Sequence, residues 1–190
     1  MENPLNQELN NWGENLSSYK FPRWDELPEI YYYMDQVVEF TTQHLSIFSV
    51  EDSGKLISPS IINNYVKQKI IPPPIKKRYS RDHIALLLII CILKPAIPIA
   101  SIQSLIHIQL KSSSLEELYN HFCDEQEYAS QKIIENANKD TSSMKDLSRP
   151  YNEILGLLAM RMAIKSNSSK LLTDKLVILS SETLDNPADK

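Results

Sequence analysis

The chain has 190 residues, of which 42% are apolar, 23% charged and 8% aromatic, with three glycines, eleven prolines and a formal net charge of −4. That balance belongs to a globular protein and excludes a collagen-like, a disordered or a membrane-embedded chain. Gly13, Gly54 and Gly156 are too few and too scattered for phosphate-cradling loops or many tight hairpins, so helices joined by proline-marked turns are expected.

Residues 1 to 20 are rich in Asn and Glu and predict a loose arm or a short helix docked through Trp12 and Leu16. The string from Phe21 to Tyr33 is aromatic and broken by Pro22 and Pro28, which suits an irregular segment packed on the core. A helix is expected from about Tyr33 to Ile47, with Val37, Val38, Phe40, Thr41 and Leu45 near one stripe, followed by a polar loop from Ser49 to Lys55. Ser58 then offers an N-cap and Pro59 stands where a first helical residue needs no N–H, which predicts a helix over 59–69. Ile61, Ile62, Tyr65 and Val66 face inward. Ser60, Asn63, Asn64, Lys67 and Gln68 are left on an outer face of hydroxyl, amide and ammonium groups that contains no carboxylate.

Pro72, Pro73 and Pro74 remove donors and bias the chain toward extended geometry, so two short strands flanking the Pro72 to Lys77 turn are expected to make a small β-wing. Lys76, Lys77 and Arg78 sit at its tip. Ser80 caps a strongly apolar helix over 81–94, in which the run Ile84 to Leu93 falls short of the ~18 to 20 residues of a membrane span. A helix over 99–110 follows. Ser114 and Glu117 open a longer helix to about Lys139 with a capping box. A polar loop at Thr141, Ser142 and Ser143 then precedes helices at 149–166 and 171–184. The first of these is apolar nearly all round and must be covered in this protomer or by a partner.

The net charge hides a segregation. From Lys55 to Arg81 the chain holds seven of its 20 basic residues (Lys55, Lys67, Lys69, Lys76, Lys77, Arg78, Arg81) and none of its 24 acidic ones, so the remainder carries −11. A single-signed patch on an acidic protein is the footprint of a phosphate-binding surface, or else a solvated basic loop. His44, His83, His107 and His121 are dispersed, and Cys91 and Cys123 form neither a metal-spaced pair nor a disulfide framework. Glu117, His121 and Glu125 share a helical face that reads as a solvated, salt-linked surface. No metal, no cofactor and no enzymatic activity are expected, since no nucleophile, phosphate-loop or zinc-protease string occurs. The polar, acidic N-terminus carries no secretory pattern, which together with the isolated cysteines points to the cytoplasm and no membrane.

The run from Ile62 to Pro73 resembles the second helix and wing entry of the MerR-type regulators. Arg78-Tyr79-Ser80-Arg81-Asp82-His83-Ile84 is similar to the start of their third helix. Within that superfamily, Ile61 to Lys67, Lys76 to Tyr79 and the segment from Trp24 to Gln36 most resemble the group called domain of unknown function 1836. Asn63 stands where an Arg is common, Lys69 where a Gly turn is common, and no clean heptad coiled coil follows. The resemblance implies a mainly α fold: an arm over 1–23, a winged helix-turn-helix over 24–110 that binds double-stranded DNA as a homodimer in transcription, and an all-helical region over 111–190.

On that reading Ser60, Asn63, Asn64 and Lys67 are base-reading candidates, because Asn pairs bidentately with adenine, Ser serves either base edge and Lys reaches guanine or phosphate. Lys76, Lys77, Arg78 and Arg81 are phosphate-binding candidates. The C-terminal helices serve either dimerisation or the binding of a small-molecule or protein effector. The competing reading is a protein-interaction module on the same scaffold that does not bind DNA.

Overall fold

The computed structural model describes residues 4–49, 56–144 and 150–185. Seven helices are present among them: α1 (Pro4–Ser18), α2 (Met34–Leu45), α3 (Pro59–Lys67), α4 (Arg81–Leu93), α5 (Ile99–Gln109), α6 (Leu115–Met144) and α7 (Tyr151–Asp185), with short 3-10 turns at Trp24–Glu26 and Ser46–Phe48. The chain divides into two compact units, Ser18–Glu127 and a second made of Met1–Ser17 with Tyr128–Lys190.

In the unit Ser18–Glu127, α4 is the central rod. Every residue from His83 to Cys91 is buried, because α4 is apolar on all sides and is covered by α2 and α5 among its neighbours. Phe21 stacks on Phe48 at 5.3 Å and meets Tyr19 and Phe122 edge-on, so the segment from Phe21 to Leu27 packs on the core as its composition predicted, whereas Ile30, Tyr31 and Tyr33 stay exposed. Tyr119 and Cys123 of α6 are fully buried, and the Tyr119 hydroxyl donates to the carbonyl of Pro22 at 2.9 Å. Ser58 caps α3, accepting the Ile61 N–H at 3.3 Å with Pro59 at the first position. Ser114 and Glu117 form the reciprocal box expected at the start of α6.

The β-wing expected between Ile70 and Tyr79 is not formed. Among the described residues there is no strand, only two isolated bridges, Ile75 with Arg78 and Tyr32 with Tyr79. Ile75 and Arg78 exchange both backbone hydrogen bonds (3.0 and 2.9 Å) around Lys76 and Lys77. The next hydrogen-bonded pair outward, Pro73 with Ser80, would need an N–H from Pro73, which has none; Tyr79, whose backbone groups face the other way, bonds Tyr32 at 2.8 and 2.9 Å. The ladder therefore stops after one pair, and the fold is helical with a tight turn where a wing was expected.

In the other unit, α1, the C-terminal part of α6 and α7 pack together, with Ile154 and Leu158 buried and Asp140 paired to Arg161 (2.7 Å) and Lys165 (3.1 Å). The loop expected at Thr141 to Ser143 belongs to α6; Thr141 returns its hydroxyl to the Ala137 carbonyl at 2.8 Å. The break expected between two C-terminal helices is also absent. The polar run Ser166 to Ser169 contains no Gly or Pro and stays helical inside α7. Of the loose arm or short helix expected over residues 1–20, the helix is what forms, as α1, but its Trp12 is 43% exposed rather than docked. Residues 50–55 of the loop before Leu56, Lys55 among them, and Arg149 lie outside the described residues.

Candidate nucleic-acid interface

Helix α3 carries Ile62 and Tyr65 into the core, and this fixes what the opposite side shows. Ser60, Asn63, Asn64 and Lys67 are all exposed, spaced three, four and seven residues from Ser60, and so share one outer face. The Asn64 side-chain oxygen accepts the Gln68 amide at 3.2 Å, which orients it along that face.

The helix ends in a Schellman motif: Ile70 N–H returns to Tyr65 C=O at 2.9 Å and Lys69 N–H to Val66 C=O at 3.0 Å. The residue that closes such a motif takes the left-handed backbone, and here it is Lys69, with φ 56°. The carbonyl of Lys69 is further held by the Gln103 amide of α5 at 3.1 Å. Lys76 and Lys77 are left-handed as well, with φ 49° and 63°, as a two-residue hairpin turn requires at both central positions. Glycine or asparagine normally fills such sites, because a Cβ there costs roughly 1–2 kcal/mol per residue. Among the described residues, Lys69, Lys76 and Lys77 are the non-glycine residues given this conformation, and each is an exposed lysine.

Arg78 leaves the same turn beside Tyr33. Its guanidinium lies 5.0 Å from that ring's centroid and donates to the phenol oxygen at 2.8 Å, which keeps the cation exposed but oriented. Arg81 is placed differently from the other phosphate-binding candidates. Its side chain is only 20% exposed, lies 5.7 Å from the Trp24 ring centroid and sits 3.4 Å from the Glu29 carboxylate. The surface thus brings Lys76, Lys77 and Arg78 together at the turn and holds Arg81 in toward the packed side of α4.

Below the turn, His83 closes α4 in a box of its own, its Nδ1 accepting the Ser80 N–H at 3.1 Å and lying 2.8 Å from the Ser80 hydroxyl. Burial pushes the His83 imidazole below its ordinary pKa. Sequence reasoning counted Lys69 in the basic segment but not among the phosphate-binding candidates, and missed Tyr33 as part of this surface. The signal for Lys69 was its place at a position where glycine is common; Tyr33 had none beyond its aromatic neighbours.

Among the described residues no three His, Cys, Asp or Glu side chains gather as metal ligands, and no helix is long and apolar enough to cross a membrane. Comparison with curated proteins and with solved structures returns no similar protein. A family model does match, over residues 22–122, a little more than half of the chain and nearly all of the compact unit that carries α3 and the basic turn. The chain belongs to the family described as Domain of unknown function (DUF1836).

Proposed function

We propose that this protein is a cytoplasmic, non-enzymatic regulator that binds duplex DNA. In this reading the outer face of α3 meets base edges, and Lys69, Lys76, Lys77 and Arg78 hold the phosphate backbone. The observation that carries the reading is the set of three left-handed lysines. Each keeps a costly backbone where a cheaper residue exists, and all three present cations on a surface that bears no acidic residue between Leu56 and Arg81. The MerR-like arrangement of α3 and α4 is part of the same proposal, without a wing.

The homodimer belongs to it too, with α7 as its contact. Ile164, Leu171 and Ile178 recur at seven-residue spacing on α7 and are 62%, 63% and 51% exposed, a repeat that suits pairing with a second helix. Sedimentation of the protein and of Leu171→Glu reads this directly, the variant being expected as monomer.

The DNA reading is tested by retaining a pool of random duplexes on the purified protein at low and high salt and sequencing what remains. A palindromic motif and a log affinity that falls against log salt with slope of about −4 to −5 per protomer, for about five phosphates, is the expected result. The competing reading, a protein-interaction module, is favoured by the exposed apolar residues of α7. It predicts no retained duplex at low salt and salt-insensitive association with protein.

A further inference from the structure

Between the C-terminal end of α3 and helix α5 lies an open groove of about 890 Å3. Its floor is apolar, with Ile71 and Leu86 buried and Ile70, Ile106 and Leu110 flanking them. Its rim is different in kind: Lys67 and Lys69 on one side and Gln103 and His107 on the other. No Asp or Glu lines it, in a chain where acids outnumber bases.

The ammonium groups of Lys67 and Lys69 make no ion pair or hydrogen bond among the described residues, and Leu110 leaves 41% of its surface in water at the groove's end. An apolar trough with cations along one edge is complementary to an aliphatic chain ending in an anion: the chain covers Ile106 and Leu110 while the head group reaches the lysines. A nucleic-acid backbone would satisfy the lysines but leave the trough uncovered, and a neutral lipid would do the reverse.

We infer that this groove binds a free aliphatic carboxylate, with Lys67 and Lys69 on its head group and the α5 side of the trough along its chain. The site shares Lys67 with the base-reading face and Lys69 with the proposed backbone contacts, so ligand and duplex would compete for these two cations, and titration without DNA tests the groove whether or not α3 meets DNA.

Calorimetric titration of the full chain with octanoate, 1-octanol and acetate separates the parts of this claim. Saturable binding of octanoate, with octanol about tenfold or more weaker and acetate weaker still, is the expected result. Lys69→Gln should weaken octanoate and leave octanol unchanged, whereas Ala100→Trp, at an exposed position on the groove wall, should weaken both. Thermal midpoints of both variants establish that they fold. Equal binding of octanoate and octanol would overturn the role of the cations, and equal binding of acetate would reduce the site to a simple anion patch. Octanoate binding that survives both substitutions places the ligand elsewhere and rejects the groove. No saturable octanoate binding rejects the proposal altogether.

Discussion

The carboxylate of Glu127 accepts the backbone N–H of Phe21 at 3.0 Å, joining positions 106 residues apart at the two ends of one compact unit. The same carboxylate receives Lys20 at 2.7 Å and Arg23 at 3.1 Å while remaining only 6% exposed. Glu127→Ala strands a buried N–H and leaves Arg23 short of one partner, so a loss of about 2–4 kcal/mol is expected in urea unfolding. Glu127→Gln keeps an acceptor for Phe21 and should lose about half as much. Equal stability of all three proteins would contradict this role.

The left-handed lysines set stability against binding. Replacing Lys76 and Lys77 by Asn and Gly supplies the residues a two-residue hairpin turn prefers, and should raise stability by about 1 kcal/mol. Lys69→Gly should add about 0.5–1 kcal/mol by the same relief, discounted for the greater freedom of glycine in the unfolded chain. Duplex retention should fall in each case. Variants that are less stable would show that the backbone is not strained there, and undiminished retention would remove these lysines from the interface.

Base reading and backbone contact separate in their sequence dependence. Lys77→Glu with Arg78→Glu should weaken every duplex alike and flatten the salt slope, whereas Asn64→Ala should change which sequences are recovered by selection. An unchanged recovered motif in Asn64→Ala takes the α3 face out of recognition.

Histidine burial gives the fold an acid-side weakness. Desolvation lowers the pKa of both His83 and His44 below the ordinary 6.5, and His44 also accepts or donates at Nδ1 with the Tyr19 hydroxyl at 2.9 Å. Depressed folded-state values mean that the unfolded chain binds the extra protons first. Stability is therefore full above about pH 6.5 and falls as pH drops below it, toward the lowered native values. Thermal midpoints should be flat from pH 8 to 7 and decline from 6.5 to 5. His83→Gln should be less stable at neutral pH but show a shallower decline.

The two thiols should be inert in the folded protein. Both are buried, and desolvation pushes Cys91 up to about 12 and Cys123 up to about 11. Thiol reagents at pH 8 should label neither until denaturant is added, and then both. Rapid labelling without denaturant would mean that α4 or α6 opens far more readily than its packing implies.

The helices of the unit Ser18–Glu127 were legible because their signals are local. Ser58 with Pro59, Ser114 with Glu117, and the apolar run after Ser80 each declare a helix start within a few residues. The wing was misjudged because apolar residues on both sides of a turn suggest strands, while the missing Pro73 donor matters only once the register around Lys76 and Lys77 is known. The continuity of α7 was hidden by four polar residues that weaken a helix without breaking it. At the candidate surface, the outer face of α3 followed from periodicity. The inward placement of Arg81 did not, because Trp24 and Glu29 reach it through the tertiary fold. Lys69 had the plainest sequence mark, a lysine at a glycine position, yet its backbone had to be seen before its cost was apparent.

The nine buried residues from His83 to Cys91 also set a clock for the molecule. Their amides can meet solvent only when the unit Ser18–Glu127 comes apart, so in deuterium exchange the peptides of α4 should be the slowest to gain mass, and their rate should report the free energy of opening that unit. Peptides from Ile164 to Leu179, whose leucines and isoleucines lie open, should exchange by fraying of a single helix, and should slow as protein concentration rises wherever copies pair along α7.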